Sequence, residues 1–124
     1  MILLIFTKIK EIIQKTKITK LRVGYKFGLV IFKLQKREVN FLSNLKGKIT
    51  FADLKLHDIP NTCRSTIEAV KDLKVNYLTI HISSGFEALR AAKKVSGKIK
   101  LIGVTVLTSL DNKALREIGF NKSS

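Results

Sequence analysis

Phe51-Ala52-Asp53-Leu54-Lys55-Leu56-His57-Asp58-Ile59-Pro60-Asn61-Thr62 is the stretch on which the fold turns. Ile49–Leu54 is a β-rich run of strand length,. Asp58 then precedes Ile59 and Pro60, which suits an N-cap followed by proline in a first helical turn,. Beyond it Ile59, Cys63, Ile67, Val70 and Leu73 recur at three- and four-residue intervals, the apolar face of a helix,. The segment is thus a strand, a short turn and a helix.

The same unit repeats on both sides. Tyr77–Ile82 and Ile99–Leu107 read as strands, with Leu21–Gly24 and Ile2–Phe6 as shorter ones,. Ser84 and Glu87 have capping-box spacing ahead of Leu89, Ala92 and Val95, and Gly97 is placed to stop that helix,. Asp111 caps a last short helix through Leu115 and Ile118, with Gly119 at its end, and Leu29–Leu45 also reads as helix,. About five βα units in succession demand an α/β fold with a parallel sheet covered by helices. No G-x-G-x-x-G follows the first strand, so the dinucleotide-binding form is not supported,. A (β/α)8 barrel takes eight such units and typically about 250 residues. The 124 residues therefore make either an open sheet or part of a barrel, as one incomplete domain over 1–124.

Asp53 and Lys55 lie two apart at a strand end, so their side chains share a face, and Asp58 follows in the turn,. In parallel β/α proteins the carboxyl ends of the strands build the active site. Acids on either side of an ammonium favour its charged form and make it a cationic acid. The same spacing equally fits a structural ion pair capping a helix.

The chain carries 24 Lys and Arg against 9 Asp and Glu, a formal charge of +15. Residues 1–48 hold 12 of the basic groups and 2 of the acidic ones. No aromatic platform, Cys/His finger or RNP-like motif is interleaved with them, so the charge reads first as a solvated lysine-rich surface,. A non-enzymatic basic protein that binds nucleic acid or other polyanions is the alternative. One cysteine, Cys63, excludes an internal disulfide, and with only His57 and His81 no metal set is expected,. The apolar run Ile2–Phe6 is too short to span a membrane, and the chain is expected to be cytoplasmic,. Cys63, Phe27, Phe32 and Phe41 read as core; His81 fits either a site wall or a hydrogen-bonded structural role,.

The run Asp-Leu-Lys-Leu-His-Asp-Ile-Pro-Asn-Thr at 53–62 resembles the signature of orotidine 5′-phosphate decarboxylase. Arg22-Val23-Gly24-Tyr25 is similar to that family's second strand, Leu78-Thr79-Ile80-His81 to its fourth, and Gly103 through Ser109 to its fifth. The resemblance implies part of a TIM barrel, used as a homodimer. It implies decarboxylation of orotidine monophosphate to uridine monophosphate in pyrimidine synthesis, with no cofactor and no metal. By the same resemblance Lys55 is the proton donor and Asp53 sits beside the departing carboxylate. Asp58, Ile59 and Thr62 reach a partner subunit's site, Arg22 stands at the second-strand substrate position, and Thr108 contacts the pyrimidine. A metal-dependent relative acting on a sugar phosphate is a third possibility, against which the Ile-Pro-Asn-Thr tail argues.

Three departures stand out. The family has lysine where this chain has Arg22, a longer planar fork that is no conservative exchange at a packed site,. The acid that ends the family's first strand is matched by Ile5, and Lys26 lies out of register with the family's lysine. The family's last three strands and its phosphate-gripping Arg and Gln are absent from the 124 residues. A truncated homologue with little or no turnover of its own is expected.

Overall fold

The computed structural model describes residues 2–6, 23–28 and 49–120. Arg22, Phe32, Phe41 and the helix expected over Leu29–Leu45 lie outside the described residues. Five strands, β1 (Ile2–Phe6), β2 (Val23–Phe27), β3 (Ile49–Leu56), β4 (Tyr77–His81) and β5 (Lys100–Val104), form one sheet in the order β1-β2-β3-β4-β5. Every neighbouring pair is parallel. Sequential order with helical crossovers is the arrangement of consecutive strands in a (β/α)8 barrel, and the fold is a partial TIM barrel.

Helices α1 (Pro60–Lys71) and α2 (Phe86–Val95) pack on one face of this sheet, and α3 (Asn112–Glu117) follows β5. The side chains that meet them alternate along the strands. Tyr25 and Phe27 on β2, Ala52 and Leu54 on β3, and Leu78 and Ile80 on β4 are buried against Cys63, Ile67, Val70, Ala88 and Ala92. This period of two is what a strand with one covered face requires, and it sends the intervening residues Lys26, Phe51, Asp53, Tyr77 and Thr79 to the opposite face,. In a closed barrel that face is the interior. Truncating Ile67, fully buried at the centre of α1, costs about 2–5 kcal/mol as a cavity,.

Several boundaries differ from the sequence reading for physical reasons. β2 runs on to Phe27 instead of ending at Gly24, because Tyr25 to Phe27 find ladder partners on both sides. β5 stops at Val104, well short of Leu107, because β4, its only partner among the described residues, ends at His81 and turns into a 3-10 segment over Ile82–Ser84. The N-cap of α1 is Ile59 with no side-chain cap, not Asp58. Pro60 disfavours helical geometry in the residue before it, so Ile59 stays extended and 65% exposed instead of joining the apolar face,. Asp58, one residue too early, accepts the Ile59 N–H on Oδ1 at 2.7 Å. The capping box at Ser84 and Glu87 does not form either. Gly85, at φ 88° and ψ 161°, takes the N-cap of α2; the Ser84 hydroxyl turns to the Leu56 carbonyl and Glu87 pairs with Arg90. The Asp111 cap is present, with Oδ1 accepting the Ala114 N–H at 2.8 Å.

Candidate functional site

The covered helices leave the other face of the sheet to polar groups, and at the carboxyl end of β3 these converge on Asp53. Its side chain is only 9% exposed. Oδ2 accepts Lys55 Nζ at 2.8 Å and Lys26 Nζ at 2.6 Å, and Oδ1 accepts the Thr79 hydroxyl at 3.1 Å. Burial pushes this carboxyl up, but the hydrogen bonds from Lys26, Lys55 and Thr79 and the Lys26 charge outweigh it and hold it below the usual range,.

The local backbone explains why Asp53 and Lys55 meet. Between β3 and β4 the register passes from Ala52↔Leu78 to Leu56↔Ile80, so β3 uses extra residues against β4. This is a bulge, and Lys55 within it adopts φ 46°, a left-handed conformation uncommon outside glycine,. Its N–H, displaced from the ladder, donates to Thr79 Oγ1 at 2.8 Å.

Among the residues singled out from sequence, the structure brings Asp53 and Lys55 together and leaves Asp58 apart. Lys55 has Asp53 as its only carboxylate among the described residues, so the expected cluster of Lys55 with two acids of its own chain does not form. The reason is the turn: Asp58 lies beyond the strand end and spends its carboxylate on the Ile59 N–H. Ile59 and Thr62 are exposed at the start of α1, and Thr108 is exposed in the turn after β5. All three lie on the side of the sheet where the strands end.

Lys26 is the residue that sequence reasoning passed over. Its position in β2, paired in register with Phe51, sets it on the inner face two residues from Asp53, and its ammonium lies 6.0 Å from the Phe51 ring centroid. The alternation Tyr25, Phe27 inward to the helices and Lys26 between them is the signal that finds it,. Farther out at the rim, His57 and His81 rings lie 5.1 Å apart, with Ser83 Oγ 3.4 Å from His57 Nε2. Burial, then the neighbouring His57 and Lys55, pushes His81 down. Among the described residues no three His, Cys, Asp or Glu side chains are grouped to hold a metal ion. No described helix is long and apolar enough to cross a membrane.

A buried acid between two ammoniums, at the carboxyl end of a barrel strand, can place a proton donor beside a group that leaves as a neutral molecule. A family model described as Orotidine 5'-phosphate decarboxylase / HUMPS family matches residues 6–124. A protein named orotidine 5'-phosphate decarboxylase from Ehrlichia canis is 42% identical over 121 residues, covering 92% of this chain and 53% of its own. One of the same name from Ehrlichia chaffeensis is 55% identical over 79 residues, 62% of this chain and 34% of its own. The chain spans about half, or less, of the length of the curated relatives it matches. Among solved structures, orotidine 5'-phosphate decarboxylase from Lactobacillus acidophilus superposes with a TM-score of 0.79 at 26% identity, covering 98% of this chain and 60% of that one.

Proposed function

The chain belongs to the orotidine 5'-phosphate decarboxylase family, and from that premise we propose that its Asp53–Lys55 pair is built to decarboxylate orotidine monophosphate. The bond from pyrimidine C6 to the carboxylate breaks, carbon dioxide departs, and the electron pair stays on C6. The Lys55 ammonium then delivers its proton to that carbon and is left as the neutral amine; the product is uridine monophosphate. Asp53 fixes the ammonium in place and sets a negative charge beside the substrate carboxylate, which favours its loss. Lys26 is the second ammonium on the Asp53 carboxylate and helps keep it ionised. Asp58, Ile59 and Thr62 serve the site of a second copy in a homodimer, and Thr108 meets the pyrimidine. Arg22 takes the second-strand substrate position. The protein acts in the cytoplasm.

The observation that carries this reading is the contact of Lys55 Nζ with Asp53 at 2.8 Å on the inner face of a parallel β/α sheet. Preorganised charge of this kind supplies catalysis only when binding energy from the rest of the substrate holds the reacting carbon against it. On this reading the chain is expected to bind nucleotide at the Asp53–Lys55 end of the sheet. The test is thermal unfolding with and without uridine monophosphate. Stabilisation in the wild type that is lost in Lys55→Ala supports the reading. Absence of nucleotide stabilisation, together with salt-sensitive nucleic-acid binding unchanged in Lys55→Ala, sinks it in favour of a polyanion binder.

A further inference from the structure

Thr79 has no role in the chemistry described so far, yet one hydroxyl joins both reacting residues. It sits on β4, 5% exposed, on the inner face opposite the bulge. As an acceptor it takes the Lys55 backbone N–H at 2.8 Å; as a donor it gives its proton to Asp53 Oδ1 at 3.1 Å. A regular strand would have satisfied the Lys55 N–H with a ladder carbonyl. The bulge removes that partner and the threonine replaces it, so the left-handed backbone at Lys55 is held by a side chain of the neighbouring strand,. A hydroxyl has one proton to donate and lone pairs to accept with, and here both capacities are used across a 26- and a 24-residue separation in sequence,.

We propose that Thr79 is a positioning residue: it locks the bulge that aims Lys55 and fixes the Asp53 carboxylate that holds the ammonium. It does not touch the substrate and moves no proton in the reaction. Oδ2 of Asp53 is already taken by the two lysines, so Oδ1 would be free to rotate without it. Neither Lys26 nor Lys55 can supply this restraint, because both reach the other oxygen through flexible stems. The inference rests on the reading of Asp53 and Lys55 as the reacting pair.

Thr79→Val keeps the branched shape and burial of the side chain and removes only the hydroxyl; Thr79→Ser keeps the hydroxyl. In the full chain, amide exchange at Lys55 is expected to rise about tenfold in Thr79→Val, the scale of one lost hydrogen bond, and to return in Thr79→Ser. The carbon-13 titration of Asp53 is expected to move up in the valine variant and to return with serine. Unchanged Lys55 exchange and an unchanged Asp53 titration in Thr79→Val overturn the proposal. Should valine unfold the chain, the wild type decides: a Lys55 amide that exchanges as fast as that of exposed Lys98 overturns it, and a protected one with a wild-type-like Thr79→Ser supports it. Uridine monophosphate is added in a separate arm. Failure of the nucleotide to stabilise even the wild type defeats the decarboxylase reading, while the two NMR readouts still decide whether Thr79 holds the bulge.

Discussion

Replacing Asp53 by asparagine keeps the shape of the side chain and removes the charge on which two ammoniums converge. Lys26 and Lys55 both touch one oxygen, at 2.6 and 2.8 Å. With the carboxylate gone, two unit charges about 5 Å apart repel by roughly 3 kcal/mol at an effective dielectric of about 20. Lys55, 44% exposed, relieves part of this by swinging into water, while Lys26, at 26%, has less freedom. The expected loss of folding stability at pH 7 is about 2 kcal/mol. The assay is urea unfolding of both proteins followed by circular dichroism across pH. Asp53 has a lowered carboxyl in the folded protein, so its contribution is complete above the unfolded value of about 3.9 and fades as pH falls through the lower folded value,. Wild type and Asp53→Asn therefore begin to converge below about pH 4 and meet only once pH has passed the lower folded value, because a protonated Asp53 resembles the asparagine,. A difference that stays constant down to pH 2, or no difference at pH 7, refutes the reasoning.

Three further outcomes follow from the fold. Gly85→Ala is expected to cost about 1–3 kcal/mol in unfolding experiments, because φ 88° with ψ 161° is glycine backbone; nothing lies within 4 Å of the added carbon, so the cost is conformational,. Cys63 is fully buried and burial pushes its thiol up, so its labelling by a disulfide reagent should track global unfolding and accelerate with urea in step with it,. Asp111→Ala removes the only side-chain cap seen at a described helix and should cost about 1 kcal/mol by chemical denaturation, with local amide exchange at Ala114 rising first,.

The βα alternation was legible because burial on one face imposes a period on each element. Cys63, Ile67 and Val70 on α1 and Ala88 and Ala92 on α2 bury where that period puts them. Element ends were less legible, since they depend on neighbours. Val104 ends β5 because β4 gives it nothing further to pair with, and no residue of β5 itself announces that. The Asp58 cap failed for a local cause, the proline two residues on, and the Ser84 box failed because Gly85 could take a conformation closed to other residues,. At the site, the Asp53 and Lys55 contact was readable from their spacing. Lys26 was not, because comparison by motif placed it out of register while the alternation of β2 places it on Asp53.

The bulge is what no periodicity could reveal, and its strain argues for its purpose. Among the described residues two non-glycine positions have positive φ, Lys55 at 46° and Lys74 at 52°. Lys74 follows the end of α1, where a left-handed residue is the ordinary way to stop a helix and satisfy its last carbonyls,. Lys55 has no such excuse. It interrupts the pairing of a central strand, flanked by partners on both sides, and a left-handed lysine costs about 1–3 kcal/mol there,. A strand selected for stability alone would run straight from Ala52 to Leu56 and keep the ladder. Three polar contacts, from Thr79 to the Lys55 N–H and to Asp53 and from Lys55 to Asp53, instead hold the kink in place. Strain concentrated at a lysine that pairs with the buried acid, and absent elsewhere on β3, is what a site requires when the direction of an ammonium matters more than the regularity of the sheet,.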